Sequence, residues 1–262
     1  MKKQLLLALF AIPAIANAQF FQNFEASTSL PTGWTALNGG DANTWEIIDY
    51  TGGSITAYSG ARTASIRYNS DAHDDYLVTP AITVTAGVSD YLSFYARSRD
   101  PLYPETISVK VSTTTPTAAA AAAFTNTLAA TVAPASGPDF YRYSYDLSAY
   151  IGQTIYIGFY SSTTDLFYFD IDDVLNGPKP ACDIPSSIAV NGVTSNSANI
   201  SWTASPTPGA TYQIEYGPTG FAQGTGTMAN SGTASATLSS LNPSTVYQFY
   251  VRSNCAANGF ST

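Results

Sequence analysis

Charged residues, histidine and cysteine are all scarce in this sequence, and each scarcity excludes a class of site. Asp, Glu, Lys and Arg make up 11% of the 262 residues, against about 25% in an average soluble domain. His73 is the only histidine, which excludes every metal site that needs two histidines, such as the His-Glu-x-x-His motif. A Ser-His-Asp triad could use only His73, and no Gly-x-Ser-x-Gly elbow occurs. We therefore predict a non-catalytic protein and place His73 in a surface loop.

The first eighteen residues have the three parts of a secretory signal. Two lysines are followed by an apolar run over residues 5–15 and by Ala-Asn-Ala at 16–18. The run is too short to cross a hydrocarbon core of about 30 Å. We predict that residues 1–18 are a signal peptide, that Gln19 is the mature N-terminus, and that the protein is secreted or lies at the outer cell surface.

The charges of the remaining chain are mostly acidic. Without the signal it has eight basic and eighteen acidic residues, a formal charge of −10. That charge disfavours nucleic acid and anionic membranes as partners. Clustered acids in an exported protein favour bound divalent cations, although plain solubility explains such charge as well.

Short alternating runs predict β-strands from about residue 45 onward. In residues 107–111, for example, Ile107, Val109 and Val111 alternate with polar side chains, which is typical of a strand with one packed face and one wet face. Turn-forming residues at 176–180 interrupt this pattern and mark a domain boundary. The alanine-rich segment 113–123 is too short for an isolated helix, and we interpret it as a surface loop.

Three motifs after the boundary resemble strands of a fibronectin type III domain. They are Ala198–Trp202, Thr211–Gly217 and the Leu-x-Pro-x-Thr-x-Tyr stretch Leu241–Tyr247. In that family the tryptophan fills the core of an immunoglobulin-like sandwich, and the tyrosine hydroxyl bonds backbone upstream. The resemblance covers residues 178–262 and implies a spacer. Only seven residues follow the second cysteine, so we expect the last strand to be missing.

Cys182 and Cys255 are the only cysteines. An even pair in an exported protein is most simply interpreted as one disulfide. It would close a loop of about seventy residues, which is worth about 4 kcal/mol in the chain-entropy estimate. Cysteines just before the first strand and just after the sixth are also what the fibronectin type III resemblance implies for bacterial members.

Five short motifs follow one another in the first domain, residues 19–177. They are Asn23–Glu25, Leu30–Trp34, Asp41–Trp45, Asp74–Pro80 and Phe167–Val174. In this order they resemble the choice-of-anchor J or cleaved adhesin family of bacterial surface proteins, and more distantly the MAM domain. The resemblance implies an all-β, jelly-roll sandwich of the galactose-binding type that contacts sugars, proteins or other domains of a longer chain.

Acidic residues lie near both ends of this domain. Glu25 belongs to the first strand and Asp173 to the last, and these strands are commonly neighbours in a jelly roll. Their carboxylates would repel each other unless a cation lay between them. Asp41 and Asn43, in a turn-rich loop, could add oxygen ligands. We predict a structural Ca²⁺ site formed by these four residues.

The two-residue alternation of a strand also predicts the face on which each acidic side chain of the last strand lies. It places Asp173 on the apolar side, and Asp170 and Asp172 on the solvent side. Asp74 and Asp75 precede a strand, and there we favour an ordinary turn over a second metal site.

Trp34 and Trp45 have two interpretations. They could form a stacking platform for a sugar, yet aromatic residues of this family more often fill the core. Two acids, such as Glu46 and Glu105, could also serve a glycoside hydrolase, whose carboxylates lie about 5 to 10 Å apart. The sequence cannot test that spacing, and the resemblance favours binding over catalysis.

The leading hypothesis is therefore an adhesion protein. Its first domain would bind an extracellular polysaccharide or a surface or matrix protein, and its second would act as a spacer. The alternatives are a purely structural fragment of a larger secreted enzyme or adhesin and, less favoured, a glycoside hydrolase.

Overall fold

The computed structural model describes residues 19–117 and 122–261. The predicted signal peptide, residues 1–18, lies outside the described residues, as do residues 118–121 of the alanine-rich segment. The described chain is all-β, as predicted, and its only helical turns are single 3₁₀ turns at Ser148–Tyr150 and Ala256–Asn258. Within the described ranges, no helix is long and apolar enough to cross a membrane.

The described residues up to 177 contain twelve strands, which form two antiparallel sheets. They are β1 (Phe20–Gln22), β2 (Thr35–Leu37), β3 (Glu46–Asp49), β4 (Arg62–Arg67), β5 (Asp75–Val78), β6 (Ile82–Thr83), β7 (Tyr91–Ser98), β8 (Ile107–Ser112), β9 (Asn126–Val132), β10 (Tyr141–Asp146), β11 (Thr154–Ser161) and β12 (Tyr168–Gly177). The first sheet has the order β10-β7-β12-β4-β3, and β1 pairs with β12 beyond the end of β4. The second has the order β2-β5-β11-β8-β9, with β6 also on β11. The expected pairing of the first strand with the last is confirmed, with Phe20 opposite Asn176.

The apolar sides of the two sheets form one core. Phe94 of β7 and Phe159 of β11 meet across it edge to face, with ring centroids 4.9 Å apart. Strand β8 shows the predicted alternation, because Val109 and Val111 are fully buried while Lys110 is half-buried. Each fully buried side chain of this size contributes about 1.5 to 3 kcal/mol to stability.

The outer face of the first sheet carries a buried ion network centred on Asp170. Asp170 lies opposite Arg97 of β7 and Ser65 of β4 in the strand register. Its carboxylate accepts hydrogen bonds from the Arg97 guanidinium at 2.6 and 2.9 Å, from Arg99 at 2.7 and 2.9 Å and from Ser65 at 2.7 Å. The prediction that Asp170 faces solvent is wrong, because Arg97 of β7, Arg99 directly after this strand, and Tyr50 cover this face and leave the carboxylate no exposed surface.

Burial alone would raise the pKa of Asp170. The hydrogen bond and charge of Arg99, the charge of Arg97 and the hydroxyl of Ser65 outweigh it and hold the pKa below its usual range. The carboxylate is therefore ionised throughout the neutral and mildly acidic range, where it compensates two buried guanidinium groups.

Six strands lie in the described residues after 185. They are β13 (Ser186–Val193), β14 (Ser197–Thr203), β15 (Thr211–Pro218), β16 (Thr227–Ser231), β17 (Ser235–Ser239) and β18 (Tyr247–Asn254). They form two three-stranded sheets, β13-β14-β17 and β16-β15-β18. Trp202 is buried in the core between them, where its ring meets Tyr212 at 5.1 Å. The Tyr247 hydroxyl accepts the backbone N–H of Asn242 at 3.0 Å, which is the corner that the motif predicts.

The predicted disulfide is present between Cys182 and Cys255. Their Cα atoms are 5.6 Å apart, and the bond joins positions separated by 73 residues. It ties the segment before β13 to the segment after β18.

We predict that Asp170→Asn lowers the free energy of unfolding of the first domain by about 3 to 5 kcal/mol, because it leaves Arg97 and Arg99 buried without a counter-charge. Denaturant unfolding measures the loss. A lowered pKa in the folded state means that the stabilisation is present above the unfolded pKa of about 3.9 and is lost as the pH falls through the folded value. The difference between wild type and variant should therefore persist from pH 7 to about pH 4 and shrink below it.

The control is Asp71→Asn, which removes an exposed carboxylate and should change stability by no more than about 0.5 kcal/mol. Equal stability of the two variants at pH 7 would contradict the role given to Asp170.

Candidate functional site

Three exposed aromatic side chains cluster at one end of the first sandwich. Tyr68, Tyr103 and Phe167 are 49%, 52% and 39% exposed, and with Asp165 and Leu166 they line an open pocket of about 380 Å³. We call this group the aromatic pocket. Exposed aromatic side chains gathered around one concave surface make it a candidate contact site.

The aromatic pocket lies where three loops next to strands of the first sheet come together. Tyr68 follows β4, Tyr103 lies in the loop after β7, and Phe167 directly precedes β12. Backbone hydrogen bonds join the loops: the N–H of Phe167 donates to the carbonyl of Tyr103 at 3.1 Å, and the N–H of Asp165 donates to that of Asn69 at 2.9 Å. The three loops that carry these rings are therefore held together by main-chain hydrogen bonds.

Arg99 connects the pocket to the ion network. Phe167 meets Tyr168 edge to face at 4.8 Å, and the Arg99 guanidinium lies over the ring of Tyr168, 4.0 Å from its centroid. The same guanidinium bonds Asp170. One wall of the pocket is thus fixed to the centre of the sheet, which lowers the conformational cost of binding a ligand there.

His73 lies next to the strand that leads to Tyr68. Its Nε2 is 3.1 Å from the carbonyl oxygen of Arg67, and its Nδ1 is 3.1 Å from Asp75 Oδ2 and 2.5 Å from Asp41 Oδ2. The prediction of a surface-loop histidine is wrong, because the ring is 1% exposed and two carboxylates compensate its burial. Burial lowers the pKa of His73, but the Asp75 hydrogen bond and the charges of Asp41 and Asp75 raise it above its ordinary value overall.

The prediction that Asp75 forms part of a turn is wrong, because this residue is fully buried at the first position of β5. Its Oδ1 accepts the backbone N–H of Gly39 and the hydroxyl of Thr44, both at 3.3 Å. These bonds hold the loop that contains Asp41 against the strand.

Glu25 and Asp173 lie together at the opposite end of β4. Glu25 Oε1 accepts the N–H groups of Ala61 at 3.0 Å and Arg62 at 2.6 Å, and Asp173 Oδ1 accepts the Ser59 hydroxyl at 2.6 Å. Burial raises the pKa of Asp173, and the charge of Glu25 raises it further.

Gly60 allows the carboxylate of Glu25 to lie close to the backbone of this segment. Its φ is +60°, and a Cβ at this position would lie 2.3 Å from the carboxyl carbon of Glu25. The segment around Gly60 is therefore a cradle for a carboxylate that any larger residue would obstruct.

A β-bulge changes the predicted alternation of β12. The register against β7 shifts between Asp172 and Leu175, and Asp173 has a φ of +45°. The bulge leaves Asp173 half-buried instead of on the apolar side and turns Val174 into the core.

Asp172 precedes the bulge and keeps its register with Tyr95, yet it is fully buried, contrary to the prediction, because the loop at Tyr58 covers it. Asp172 Oδ2 accepts the N–H groups of Tyr58 and Ser59 at 3.0 Å each. Its burial, together with the charge of Asp173, raises its pKa to about 8.

The four predicted calcium ligands are divided between the two ends of β4. Glu25 contacts Arg62, the first residue of this strand, whereas Asn43 accepts a hydrogen bond from Arg67, the last, at 3.1 Å. At about 3.3 Å per residue these positions are about 16 Å apart, which is too far for one ion. Asp41 lies with His73 and Asp75, so of the four only Glu25 and Asp173 lie at the predicted position.

Two family models match this chain. The Cleaved Adhesin Domain model matches residues 18–175, more than half of the chain, and the Fibronectin type III domain model matches residues 183–261. The chain belongs to the cleaved adhesin family. This match confirms the resemblance to the cleaved adhesin family that the ordered motifs indicate. Membership of this family makes the first domain an adhesion or binding domain.

The relatives of the cleaved adhesin domain are parts of longer proteins. Hemagglutinin A of Porphyromonas gingivalis (strain ATCC BAA-308 / W83) is 31% identical over 176 residues, which cover 58% of this chain and 8% of that protein. The chain therefore spans less than a tenth of the length of this curated relative. Among solved structures, the K3 cleaved adhesin domain of Lys-gingipain from Porphyromonas gingivalis W83 is 25% identical, with a TM-score of 0.48, over 60% of this chain and 96% of that one. The K1 domain is 23% identical, with a TM-score of 0.49, over 61% and 98%.

Trp34 and Trp45 belong to the core of the cleaved adhesin domain. They are 7% and 2% exposed, and Trp34 packs edge to face against Phe24 at 5.3 Å. The alternative that Trp34 and Trp45 form a stacking platform for a sugar is therefore wrong, because neither indole presents a face to solvent.

The aromatic pocket was not predicted from the sequence. Tyr103 stands between prolines in Asp100-Pro101-Leu102-Tyr103-Pro104, and an aromatic residue within such a turn-forming stretch cannot be explained by strand packing. That signal could have identified one member of the cluster, but the meeting of three loops depends on strand order.

Proposed function

We propose that this chain is a secreted or cell-surface adhesion protein without catalytic activity. Its cleaved adhesin domain would bind an extracellular carbohydrate or surface protein at the aromatic pocket, and its fibronectin type III domain would act as a spacer. The observation that carries the proposal is the exposure of Tyr68, Tyr103 and Phe167 around one pocket on a domain of an adhesin family.

The chemistry of the pocket suits a ligand with both apolar and hydroxyl groups. Tyrosine presents a large apolar face and a polar tip while losing little conformational entropy on binding. The carboxylate of Asp165 lies at the edge of the pocket and could accept hydrogen bonds. A sugar ring offers C–H groups to the aromatic faces and hydroxyl groups to such an acceptor.

The acids considered for a hydrolase have other partners. Glu46 is half-exposed and lies 3.7 Å from Arg67. Glu105 is 1% exposed, and its Oε1 accepts the Thr163 hydroxyl at 2.5 Å and the N–H of Thr106 at 2.9 Å. These contacts favour a structural role for both carboxylates and support binding over hydrolysis.

We expect the purified chain to bind at least one member of a panel of polysaccharides and extracellular matrix proteins, and Tyr103→Ala and Phe167→Ala to weaken that binding about tenfold or more. The reason is that a truncated aromatic anchor typically costs 2 kcal/mol or more. Surface plasmon resonance or a glycan array measures the affinity.

Tyr250→Ala is the matched control, because Tyr250 is exposed to the same degree, 39%, as Phe167 but belongs to the second domain. Binding that survives both pocket variants would reject the aromatic pocket as the site. Absence of binding across the panel would instead favour the structural spacer.

We also propose a structural Ca²⁺ held by Glu25 and Asp173. Two half-buried carboxylates next to each other fit a hard cation that prefers oxygen ligands, and the Gly60 cradle leaves room for this approach. Arg62 already compensates part of the charge, since it lies 4.0 Å from Glu25 and 2.5 Å from Asp49. Asp173 has no comparable cation among the ion pairs of the described residues.

Removing Ca²⁺ should lower the melting temperature of the first domain. An ion present at about a hundred times its dissociation constant stabilises the folded state by about 2.7 kcal/mol, which corresponds to about 5 to 10 °C for a domain of this size. Differential scanning calorimetry with EGTA, followed by addition of CaCl₂, measures the loss and its recovery. Asp173→Asn should abolish the response while Asp71→Asn keeps it. A melting temperature that EGTA does not change would refute the calcium proposal.

A further inference from the structure

Both ring nitrogens of His73 face hydrogen-bond acceptors. Nε2 lies 3.1 Å from the carbonyl oxygen of Arg67, which can only accept, so Nε2 carries a proton. Nδ1 faces Asp75 Oδ2 at 3.1 Å and Asp41 Oδ2 at 2.5 Å. In a neutral imidazole whose Nε2 is protonated, Nδ1 would present a lone pair to two carboxylates. A positive charge must therefore lie at Nδ1, and it can be either a proton or a metal ion.

The environment of Asp41 shows that Asp41, His73 and Asp75 are more than an ordinary ion pair. Its side chain is 3% exposed, and its Oδ2 is buried without a hydrogen-bond partner of acceptable geometry although it points at the imidazole. An unpaired buried carboxylate oxygen is costly. A proton on Nδ1 can be donated in line to Asp75, but Asp41 Oδ2 then gains only the charge of the ring and no aligned hydrogen bond, whereas an ion between the three side chains would bind all three donor atoms.

The surroundings of these donors are those of metal ligands. A ligating histidine usually donates its second ring N–H to a backbone carbonyl, which fixes the tautomer, and the carbonyl of Arg67 has this role for His73. A ligating carboxylate is usually hydrogen-bonded through its other oxygen. Asp75 Oδ1 is held in this way by the N–H of Gly39 and the hydroxyl of Thr44.

We infer that Asp41, His73 and Asp75 form a binding site for a divalent transition-metal ion, with Zn²⁺ as the best match. The three donor atoms lie within 4.8 Å of one another. An imidazole nitrogen selects against Ca²⁺, which prefers oxygen ligands, and suits Zn²⁺, which accepts nitrogen and carboxylate oxygen at about 2.0 to 2.2 Å. This site differs from the Glu25–Asp173 site both in position and in ligand chemistry.

A small movement of Asp41 would complete the geometry. Ligands of a tetrahedral ion with bonds of about 2.1 Å lie about 3.4 Å apart, whereas Asp41 Oδ2 is 2.5 Å from Nδ1. Binding thus requires Asp41 to withdraw by about 1 Å. Asp41 lies in the loop between β2 and β3 and not in a strand, so a rotation of its side chain can provide this movement while the loop itself stays bonded to Asp75.

The uniqueness of His73 makes a direct test possible. In the ¹⁵N-labelled chain, prepared without a histidine tag, the side-chain imidazole signals come from this one residue. Long-range ¹H–¹⁵N spectra should show a ring protonated on both nitrogens after treatment with chelator. Addition of ZnCl₂ should shift the Nδ1 resonance to the range of a metal-bound nitrogen while Nε2 remains protonated. Ring-nitrogen resonances that stay unchanged in excess ZnCl₂ would overturn the inference in favour of a protonated ion pair.

Isothermal titration calorimetry of the same chain should give one Zn²⁺ site that CaCl₂ does not occupy. His73→Gln and Asp41→Asn should each lower the affinity at least about tenfold, since changes even in the outer shell of metal sites cost 10- to 100-fold. Asp139→Asn, at an exposed position, is the control and should bind as the wild type does. Zn²⁺ affinity that His73→Gln leaves unchanged would also overturn the inference.

Discussion

A single buried carboxylate organises the first domain. Asp170 lies at the centre of β12, between β7 and β4, and neutralises two arginines that would otherwise lie uncompensated on the outer face of the sheet. Buried ion pairs add little net stability compared with apolar residues of similar size, but they impose one geometry, because each partner is costly without the others. Here that geometry fixes the position of Arg99. The Arg99 guanidinium packs on the ring of Tyr168, which in turn contacts Phe167 in the wall of the aromatic pocket.

Features that depend on strand pattern and family motifs could be predicted from the sequence. The alternation in β8, the core tryptophan Trp202, the corner at Tyr247 and the pairing of the first strand with the last all follow from period two or from ordered motifs. Each is a local pattern or a property that the fold imposes on every member.

The site residues were harder to predict because their environments are set by cross-strand partners. Period two assigned Asp170 to the outer face correctly, but it could not show that Arg97 of β7 and Arg99 after it cover that face. The bulge at Asp173 broke the alternation by one residue, which turned Val174 into the core and left Asp173 half-buried. Asp172 is buried by the loop at Tyr58 and Ser59, a contact that no strand pattern shows. The sequence places His73 at the surface of its loop, because Asp41, which lies 32 positions earlier in the chain and helps to bury the ring, meets it only in the folded state.

The pairing of β1 with β12 has a mechanical consequence. The N–H of Gln19 donates to the carbonyl of Asn176, so the chain enters and leaves the first domain at the same end of two antiparallel strands. With Gln19 as the mature N-terminus, β1 is a free end and carries no load, so a force transmitted through the connection after β12 acts on β12, which is hydrogen-bonded to β7 on one side and to β4 and β1 on the other. The load on the first domain would thus be shared by both edges of β12, while the disulfide between Cys182 and Cys255 would keep most of the second domain from being extended.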